Sequence, residues 1–316
     1  MEILKPKIAI IGCGNVGSTF AYSLMISGLA REIVLIDANP EKAKGECMDL
    51  NHGASFVHPV KICASGYEGS EGADIVVITA GAKQKPGQTR LDLAETNAKI
   101  FKDIVPNVTK HTKDAILLVV TNPMDILTYV TLKISGFPVG RVLGSGTVLD
   151  TSRFRYMISE HCKVDPRNVH AYIIGEHGDS ELPVWSNASI GGMLLNKYCP
   201  ACNKSCDYSK VLGGIFEEVK NAAYKIIETK GATYYAIGLA LTRIVEAILR
   251  DENSVLPVST FINDYYGIGD ICLSIPSIVN KGGVQKFLRL ELSDLEQRQL
   301  RESAKTLKGI ISKLKI

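Results

Sequence analysis

The sequence lacks the features that mark membrane, secreted and nucleic-acid-binding proteins. None of its apolar runs reaches the length of a bilayer span, and its opening residues show no signal-peptide pattern. Its 36 basic and 33 acidic residues leave a net charge of only +3, and no stretch concentrates Lys and Arg among aromatic residues. We therefore expect a cytoplasmic protein that binds neither membrane nor nucleic acid. The length of 316 residues and the 46% apolar content suit a globular protein of two domains.

The cysteines do not form a disulfide framework. There are eight in the chain, and five of them are scattered, as is usual for reduced thiols. The other three lie close together in Cys199-Pro-Ala-Cys202-Asn-Lys-Ser-Cys206. A tetrahedral zinc site needs four ligands, and no second cysteine pair follows. We interpret this segment as a variable loop and predict no metal site, with a metal-binding or regulatory-thiol loop as the alternative.

A nucleotide-binding pattern is present near the start of the chain. The apolar run Lys7-Ile-Ala-Ile-Ile11 is followed at once by Gly12-Cys-Gly14-Asn-Val-Gly17 and by a segment with the apolar spacing of a helix. Glycines at this spacing permit a tight turn, close approach of a pyrophosphate and close helix–strand packing. The phosphates would then lie at the N-terminus of the helix, where backbone N–H groups are free.

The second predicted strand bears on the choice of cofactor. This strand, residues 32–36, ends in Asp37, which lies 20 residues past Gly17, where a ligand for the ribose diol is expected. A carboxylate there would repel the 2′-phosphate of NADP. The nearest cation is Lys42, which is either a cofactor contact or a solvated helix residue. The sequence therefore favours NAD.

The first half of the chain alternates strands with helices. Strand-like runs occupy residues 7–11, 32–36, 74–79, 115–120 and 141–144, and their near-continuous apolar character predicts a parallel sheet covered on both faces. This is an α/β fold with a Rossmann-type doubly wound sheet. Three loops follow strands directly: Gly81-Ala-Lys83, Thr121-Asn-Pro123 and Ser145-Gly146. Ligands of such sheets bind at the carboxyl ends of the strands.

The second half has a different pattern. Helices are predicted over residues 151–162, 215–228 and 232–250, and strands over 255–263, 271–275 and 284–290, with short turns that favour antiparallel pairing. A capping box, Ser293-Asp-Leu-Glu296, begins a C-terminal helix. We predict a dinucleotide-binding domain over residues 1–144 and an α+β substrate domain over residues 145–316, with a cleft between them.

Three residue types that suit acid–base chemistry on a small carboxylate occur close together. Asp150-Thr-Ser-Arg153 is followed, 24 residues after the arginine, by His177 in Gly175-Glu-His-Gly-Asp179. An aspartate can orient a histidine and favour its protonated form, arginine grips a carboxylate with two N–H groups, and histidine changes charge near neutral pH. The alternatives are a surface salt bridge between Asp150 and Arg153, which i,i+3 spacing allows, and an ordinary loop histidine.

Taken together, the motifs resemble those of bacterial members of the NAD-dependent L-lactate dehydrogenase family, within the lactate/malate dehydrogenase superfamily. The resemblance runs over essentially the whole chain. Besides the glycine pattern and the two motifs above, it rests on Ala80-Gly-Ala-Lys-Gln-Lys-Pro-Gly-Gln-Thr-Arg90, Thr121-Asn-Pro-Met-Asp125 and Gly231-Ala-Thr233.

The resemblance implies reversible hydride transfer between NADH and pyruvate, giving (S)-lactate, in anaerobic glycolysis or fermentation. His177 is the implied proton donor and Asp150 its partner, while Arg90 is implied to arrive on a closing loop and polarise the carbonyl. The substrate-binding residues implied are Gln84, Arg90, Asn122, Asp125, Arg153 and Thr233. The cofactor-binding residues implied are Gly12, Gly14, Val16, Gly17, Asp37, Lys42, Tyr67, Gly81, Ala82, Val120, Asn122 and Ser145.

Gln84 bears on the choice between lactate and malate. The matching position in malate dehydrogenases resembles an arginine that neutralises a second carboxylate, which a glutamine cannot do. An unpaired buried carboxylate costs several kcal/mol, against a gain of roughly 0.8 kcal/mol for burying a methyl group, so pyruvate is favoured over oxaloacetate unless Lys85 turns inward. A malate or broad 2-hydroxy-acid dehydrogenase is the alternative enzyme, and a non-catalytic NAD-binding scaffold is the alternative from another class.

Arg155 and His170 match positions that bind fructose 1,6-bisphosphate across a subunit interface in many bacterial lactate dehydrogenases. A twofold axis would gather two arginines and two histidines around the anionic effector. The resemblance also implies a homotetramer. The alternative is that Arg155 is an exposed helix residue and His170 the first residue of a strand.

Overall fold

A computed structural model describes residues 6–83, 89–198 and 208–314, including side chains except those of residues 208 and 209. The predicted specificity residue Gln84, its neighbour Lys85 and the predicted cysteine loop at 199–206 lie outside the described residues.

Helices and strands alternate through the first half of the chain, as the apolar pattern predicts. The helices are α1 (Asn15–Ser27), α2 (Pro40–His52), α3 (Arg90–His111), α4 (Met124–Ser135), α5 (Val148–Cys162), α6 (Leu195–Tyr198), α7 (Tyr208–Lys230), α8 (Tyr235–Leu249) and α9 (Asp294–Ile311). The strands are β1 (Lys7–Ile11), β2 (Glu32–Ile36), β3 (Lys61–Ala64), β4 (Ile75–Ile78), β5 (Ile116–Val119), β6 (Val142–Gly144), β7 (Val169–His170), β8 (Ile173–Ile174), β9 (Leu182–Pro183), β10 (Ser189–Ile190), β11 (Met193–Leu194), β12 (Ser254–Ile262), β13 (Ile271–Asn280) and β14 (Gly283–Phe287).

One nine-stranded sheet runs through both halves, in the order β14-β13-β12-β6-β5-β4-β1-β2-β3. The six strands from β3 to β6 pair in parallel, whereas β12, β13 and β14 are antiparallel. The parallel order 3-2-1-4-5-6 is that of a Rossmann-type doubly wound sheet. The predicted fold class is confirmed. The sequence did not predict that the second half extends this sheet, through antiparallel pairing of Ser259 with Gly144.

The parallel strands bury both of their faces, which explains their continuous apolar sequences. In β1, Ala9 and Ile11 belong to one core cluster while Ile8 and Ile10 belong to another on the opposite face. The same alternation repeats in β2 and β4.

Several strand predictions needed correction. The four-residue β3 and the two-residue strands β7 to β11 were missed. Strand β13 continues to Asn280 rather than ending at 275, and β14 ends at Phe287 rather than at 290.

Strand β13 passes through Pro276, which lies opposite Pro257 of β12. The carbonyl oxygens of Pro257 and Pro276 accept from Thr147 and Leu288, on the outer sides of the pair. The two prolines are therefore a non-hydrogen-bonded pair, and their missing N–H groups cost no bond between β12 and β13.

Helix packing joins the two halves on one face of the sheet. Helix α8 lies against α1, with Gly238 beside Thr19 and the hydroxyls of Ser23 and Thr242 2.8 Å apart. On the other side, α9 begins with the predicted capping box at Ser293 and Glu296. Among the described residues, no helix combines the length and apolarity needed to cross a membrane.

Candidate active site

The glycine turn after β1 leaves room for a pyrophosphate. A Cβ on Gly12, whose φ is +101°, would lie 2.5 Å from the backbone nitrogen of Ala80, and one on Gly17 would lie 1.9 Å from the Gly12 carbonyl oxygen. Both glycines are therefore required by the packing of the turn. At Gly14 a Cβ would meet no atom of the described residues within 4 Å. That open space, at the start of α1, fits the close approach of a phosphate group.

Asp37 lies at the carboxyl end of β2, beside the turn. Its carboxylate accepts N–H groups from Cys13 at 2.6 Å and Asn39 at 2.9 Å. A carboxylate has about four lone-pair sites, so acceptors remain for the hydroxyls of a ribose. The side chain thus fits the predicted ribose ligand.

A cavity of about 610 Å³ extends from this turn along the sheet edge. It is lined by seven of the predicted cofactor residues: Gly12, Gly14, Asp37, Lys42, Tyr67, Gly81 and Ala82. Val16 and Gly17 do not line it. Asp103 of α3, which the sequence did not predict, does line it. The cavity thus contains a second carboxylate, which makes its potential less favourable for an additional phosphate group.

A buried amide ties together the loops that follow β4 and β5. The side chain of Asn97 on α3 accepts the N–H of Ala82 at 2.8 Å and donates to the backbone oxygen of Asn122 at 2.7 Å. Both loops carry predicted ligand-binding residues. Asn97 therefore holds the two loops in a fixed relation at the carboxyl edge of the sheet.

The acid, guanidinium and imidazole predicted from the sequence do meet. Nδ1 of His177 lies 2.6 Å from Oδ2 of Asp150, and Nη1 of Arg153 donates to Oδ1 of the same carboxylate at 2.9 Å. Asp150 and Arg153 both lie on α5, one turn apart, and the carboxylate is buried. The alternative of a solvated surface salt bridge is therefore wrong. Asp150 links the other two side chains and fixes the imidazole with its Nε2 edge free.

The charges of this group favour a protonated histidine. Burial opposes the imidazolium, but the adjacent Asp150 carboxylate, with smaller contributions from Glu181 and Asp125, raises the pKa of His177 to about 9. Burial also works against ionised Asp150, yet His177 and Arg153 keep the pKa of that carboxyl below its usual value. An ionised aspartate beside a protonated histidine is thus the state expected at neutral pH.

Arg90, the first residue of α3, reaches across to the histidine loop. Its guanidinium contacts the buried Glu176 carboxylate through Nη1 and Oδ2 of Asp179 through Nη2, the latter at 3.2 Å. Asp179 also accepts the Tyr224 hydroxyl of α7 at 2.9 Å. The Arg90 side chain remains 34% exposed, so it faces the cavity beside His177 as well as these partners.

Two cavities meet at His177. One, of about 230 Å³, is lined by Arg90, Asp150, Glu181 and Lys220 among others. The other, of about 150 Å³, is lined by the predicted residues Val120, Ser145 and Thr233 and reaches towards the cofactor edge. Asn122, Arg153 and His177 line both cavities. The structure therefore brings several of the predicted substrate and cofactor residues together around His177: Arg90, Asn122, Arg153, Thr233, Val120 and Ser145.

Asp125 does not reach this site. It is only 1% exposed, lines neither cavity, and both of its carboxylate oxygens accept hydrogen bonds from protein groups. Burial raises the pKa of Asp125 to about 6, against the lowering effect of the hydroxyl of Ser259 and the N–H of His177. The geometry thus corrects the expectation that Asp125 contacts substrate, because no oxygen is left facing the cavity.

Neither Arg155 nor His170 lines the two cavities that meet at His177. Nε of Arg155 donates to the backbone oxygen of Ala171 at 3.0 Å, and its guanidinium stacks on the Tyr172 ring, 5.2 Å from the centroid. His170 is exposed on β7. Arg155, with Arg167 and Arg243, also lines a separate cavity of about 430 Å³.

Sequence reasoning missed the acidic residues that surround the predicted trio. Glu176 and Asp179 lie within the Gly175–Asp179 motif, but nothing local indicates that Arg90, 86 residues from Glu176, is their partner. Glu181 is buried beside Asp150 and His177, and burial, with Asp150, raises its pKa to about 8. The sequence shows Glu181 only as an acidic residue two positions beyond the Gly175–Asp179 motif, which does not indicate that it is buried.

Comparison with known proteins agrees with these features. The family model for the lactate/malate dehydrogenase NAD binding domain matches residues 6–144, and that for the lactate/malate dehydrogenase alpha/beta C-terminal domain matches residues 147–315. An L-lactate dehydrogenase of Acetivibrio thermocellus is 57% identical over 315 residues, covering 100% of this chain and 99% of that protein. L-lactate dehydrogenase 1 of Clostridium acetobutylicum is 59% identical over 304 residues, covering 96% of this chain and 97% of that protein.

A solved structure shows the same fold. The crystal structure of the minor L-lactate dehydrogenase from Enterococcus mundtii, in the ligands-bound form, matches with a TM-score of 0.94 at 45% identity and covers 99% of each chain. The predicted resemblance is confirmed. The chain belongs to the lactate/malate dehydrogenase family and is an NAD-dependent oxidoreductase.

Proposed function

We propose that this protein is an L-lactate dehydrogenase, which reduces pyruvate to (S)-lactate with NADH and catalyses the reverse reaction. One observation carries the proposal above all others: the His177–Asp150–Arg153 group lies where the two cavities meet, with the cofactor edge of the sheet on one side. The names of relatives that are 57% and 59% identical support the same activity.

Each polar group around the junction has a role in this reaction. NADH, when bound, supplies the hydride to the carbonyl carbon of pyruvate. Protonated His177 donates its Nε2 proton to the keto oxygen, and neutral His177 takes the hydroxyl proton of lactate in the reverse direction. Asp150 orients the ring and stabilises its cationic form. Arg153 has guanidinium N–H groups beyond the one given to Asp150, and these clamp the substrate carboxylate.

Two further residues act on the substrate oxygen in this proposal. Asn122 lines both cavities and donates a hydrogen bond to the keto oxygen, while Arg90 stabilises the negative charge that develops there. For Arg90 to do so, substrate must compete with Glu176 and Asp179 for its guanidinium. Thr233 lines the smaller cavity and completes the pocket.

Preference for pyruvate over oxaloacetate is assigned to Gln84. A neutral amide cannot pair a second substrate carboxylate, whose burial unpaired costs several kcal/mol. At about 1.4 kcal/mol per tenfold, that cost exceeds a hundredfold in specificity. A malate or broad 2-hydroxy-acid dehydrogenase is the alternative.

Initial rates test the proposal directly. We would measure NADH oxidation with pyruvate, oxaloacetate and longer 2-keto acids, and repeat the pyruvate series with NADPH. Pyruvate with NADH is expected to give the highest kcat/KM, and His177→Asn is expected to abolish turnover while NADH still binds. A higher kcat/KM for oxaloacetate would favour the alternative enzyme, and NADH binding without any turnover would favour a non-catalytic scaffold.

Regulation by fructose 1,6-bisphosphate forms a separate part of the proposal. In this proposal Arg155 and His170 contact the anionic effector, and in a homotetramer a twofold axis would bring two copies of each residue together. Activation requires that the effector bind the active state more tightly than the less active one. Pyruvate saturation curves with and without the sugar bisphosphate are expected to differ in the native protein and to coincide in His170→Ala. If the two curves also coincide in the native protein, regulation by fructose 1,6-bisphosphate is rejected.

The cellular setting and the division of the chain complete the proposal. We place the enzyme in the cytoplasm, in anaerobic glycolysis or fermentation. The dinucleotide-binding domain would span residues 1–144 and the substrate domain residues 145–316, a division supported by the change from parallel to antiparallel strands after β6.

A further inference from the structure

The turn between β5 and α4 carries two polar side chains with different surroundings. Asn122 lines both cavities at the site. Asp125, three residues later in the first turn of α4, is buried and reaches the loop that carries His177. Asn122, which faces the cavities, and Asp125, which contacts the histidine loop, are therefore only three residues apart.

Within the described parts of the chain, the hydrogen bonds that the Asp125 carboxylate accepts all come from the second half. Oδ2 accepts the backbone N–H of His177 at 2.7 Å. Oδ1 accepts the hydroxyl of Ser259 at 2.6 Å and that of Ser274 at 3.1 Å. Since hydrogen bonds to a charged acceptor are stronger than neutral ones, these contacts make Asp125 a firm point of attachment for the loop.

The sheet also holds the loop two residues before His177, at Gly175. Gly175 and Ser274 exchange two backbone hydrogen bonds, of 2.9 Å and 3.0 Å. The same residue, Ser274, thus supports the loop through its backbone and Asp125 through its hydroxyl. The main chain from Gly175 to His177 is consequently fixed at both ends.

We propose that Asp125 is a positioning residue that holds the main chain of His177 at a set spacing from Asn122. This rests on the proposed function, in which both residues contact the keto oxygen. Asp150 fixes the rotation of the imidazole ring, whereas Asp125 fixes the backbone on which the ring is mounted. The two aspartates therefore act on different degrees of freedom of one catalytic group.

Removing the Asp125 charge also acts on the titration of His177. Asp150 on α5 and Glu181 beside it are the other carboxyl groups that raise the His177 pKa, while Arg153 adds positive charge from α5. Buried Cys272 of β13, whose pKa burial raises far above the usual range, faces Asp125 as a neutral thiol. With Asp125 neutral, the pH midpoint of the pyruvate reaction should move down.

Two substitutions and one control test the assignment in the full-length enzyme. Asp125→Asn keeps the shape and one acceptor oxygen but removes the charge, and Asp125→Ala removes every contact. The matched control is Asp270→Asn: Asp270 accepts hydrogen bonds from Tyr129 and Lys133 at 3.1 Å each and so ties the far end of α4 to the start of β13.

We expect Asp125→Ala to lower kcat on the order of a hundredfold, since about 1 Å of misplacement at a catalytic group has that effect. The Kd for NADH should stay within about twofold. Asp125→Asn should retain more activity and shift the midpoint of the kcat/KM profile to lower pH. Asp270→Asn should lower only the melting temperature.

The assignment is overturned if Asp125→Asn keeps the native kcat and the native pH midpoint, whether or not Asp125→Ala folds. Failure of the proposed function looks different, because the native enzyme would then bind NADH but turn over no 2-keto acid. In that case the role of Asp125 can still be tested by chemical modification. The rate at which diethyl pyrocarbonate modifies His177 would be measured as a function of pH by peptide mass. A midpoint that is unchanged in Asp125→Asn rejects the role.

Discussion

Replacement of Asp150 by asparagine tests the arrangement on which the proposed mechanism depends. Asparagine removes the charge and leaves one acceptor oxygen for two donors, Nη1 of Arg153 and Nδ1–H of His177. The pKa of His177, about 9 with the aspartate against an ordinary 6.5, should fall to the ordinary value or below it, because burial then acts with less opposition. That difference corresponds to roughly 3 kcal/mol, since one pKa unit is worth about 1.4 kcal/mol.

The penalty in Asp150→Asn should grow with pH. If only protonated His177 supports pyruvate reduction, then a fall of the pKa from about 9 to about 6.5 reduces the competent fraction about fourfold at pH 7 and about 300-fold at pH 10. Lost stabilisation of the cation during proton transfer adds a factor that does not depend on pH. Lactate oxidation needs neutral His177, and the same fall of the pKa raises the neutral fraction at pH 7 from about 1% to about 76% but changes it little at pH 10. The penalty on lactate oxidation should therefore be smallest near pH 7 and approach the pH-independent factor as the pH rises.

Stopped-flow or initial-rate measurements of kcat/KM for pyruvate between pH 6 and pH 10.5 would test these figures. The NADH Kd should be measured at each pH as a control, because Asp150 contacts neither the glycine turn nor Asp37. A variant whose penalty is the same at pH 7 and pH 10 would show that the ion pair does not hold the proton on His177, and the mechanism proposed above would then be wrong.

Three further predictions concern substrate, cofactor and stability. Gln84→Arg should raise kcat/KM for oxaloacetate relative to pyruvate by at least about a hundredfold, because an arginine pairs the second carboxylate; an unchanged ratio of initial rates would contradict the role of Gln84. Asp37→Ser should raise the NADPH to NADH ratio of kcat/KM by about tenfold or more, as one charge repulsion is removed, and no rise would show that Asp37 does not exclude the 2′-phosphate. Because the folded-state pKa of His177 is raised from 6.5 to about 9, its contribution to stability is complete below pH 6.5 and is lost as the pH rises through 9; the melting temperature should therefore fall more steeply between pH 7 and pH 10 in the native protein than in His177→Asn, and parallel curves would count against the ion pair.

Local patterns in the sequence were enough to predict the parallel half of the fold. Lys7–Ile11 and Glu32–Ile36 were placed with their observed bounds, because a strand buried on both faces has a continuous apolar sequence that ends at the turn residues. The capping box at Ser293 fixed the start of α9 for a similar local reason. In contrast, β3 is only four residues long and half-exposed, so its pattern did not stand out.

Non-local contacts account for what the sequence could not predict. The spacing of Asp150 and Arg153 indicated that they share a helix face, and the residue types of these two and His177 indicated that the three act together. Nothing in the order of residues shows that Arg90 pairs with Glu176, or that Asp125 holds the His177 backbone rather than a substrate. Such pairings depend on how the β4–α3 and β5–α4 connections are set against the second half of the chain.

The continuous sheet explains why the β4–α3 and β5–α4 connections lie so close to the second half of the chain. Because β12 pairs with β6, β13 lies one strand further along the same sheet, and Ser274 of β13 holds Gly175 at the beginning of the histidine loop. Asp125, which follows β5, accepts the N–H of His177 directly and also accepts the hydroxyl of Ser259 on β12. The proton donor is thereby attached to the same rigid sheet that carries the cofactor edge. Movement of catalytic groups would then fall mainly to Arg90 at the start of α3, whose partly exposed side chain contacts Glu176 and Asp179 by ion pairs.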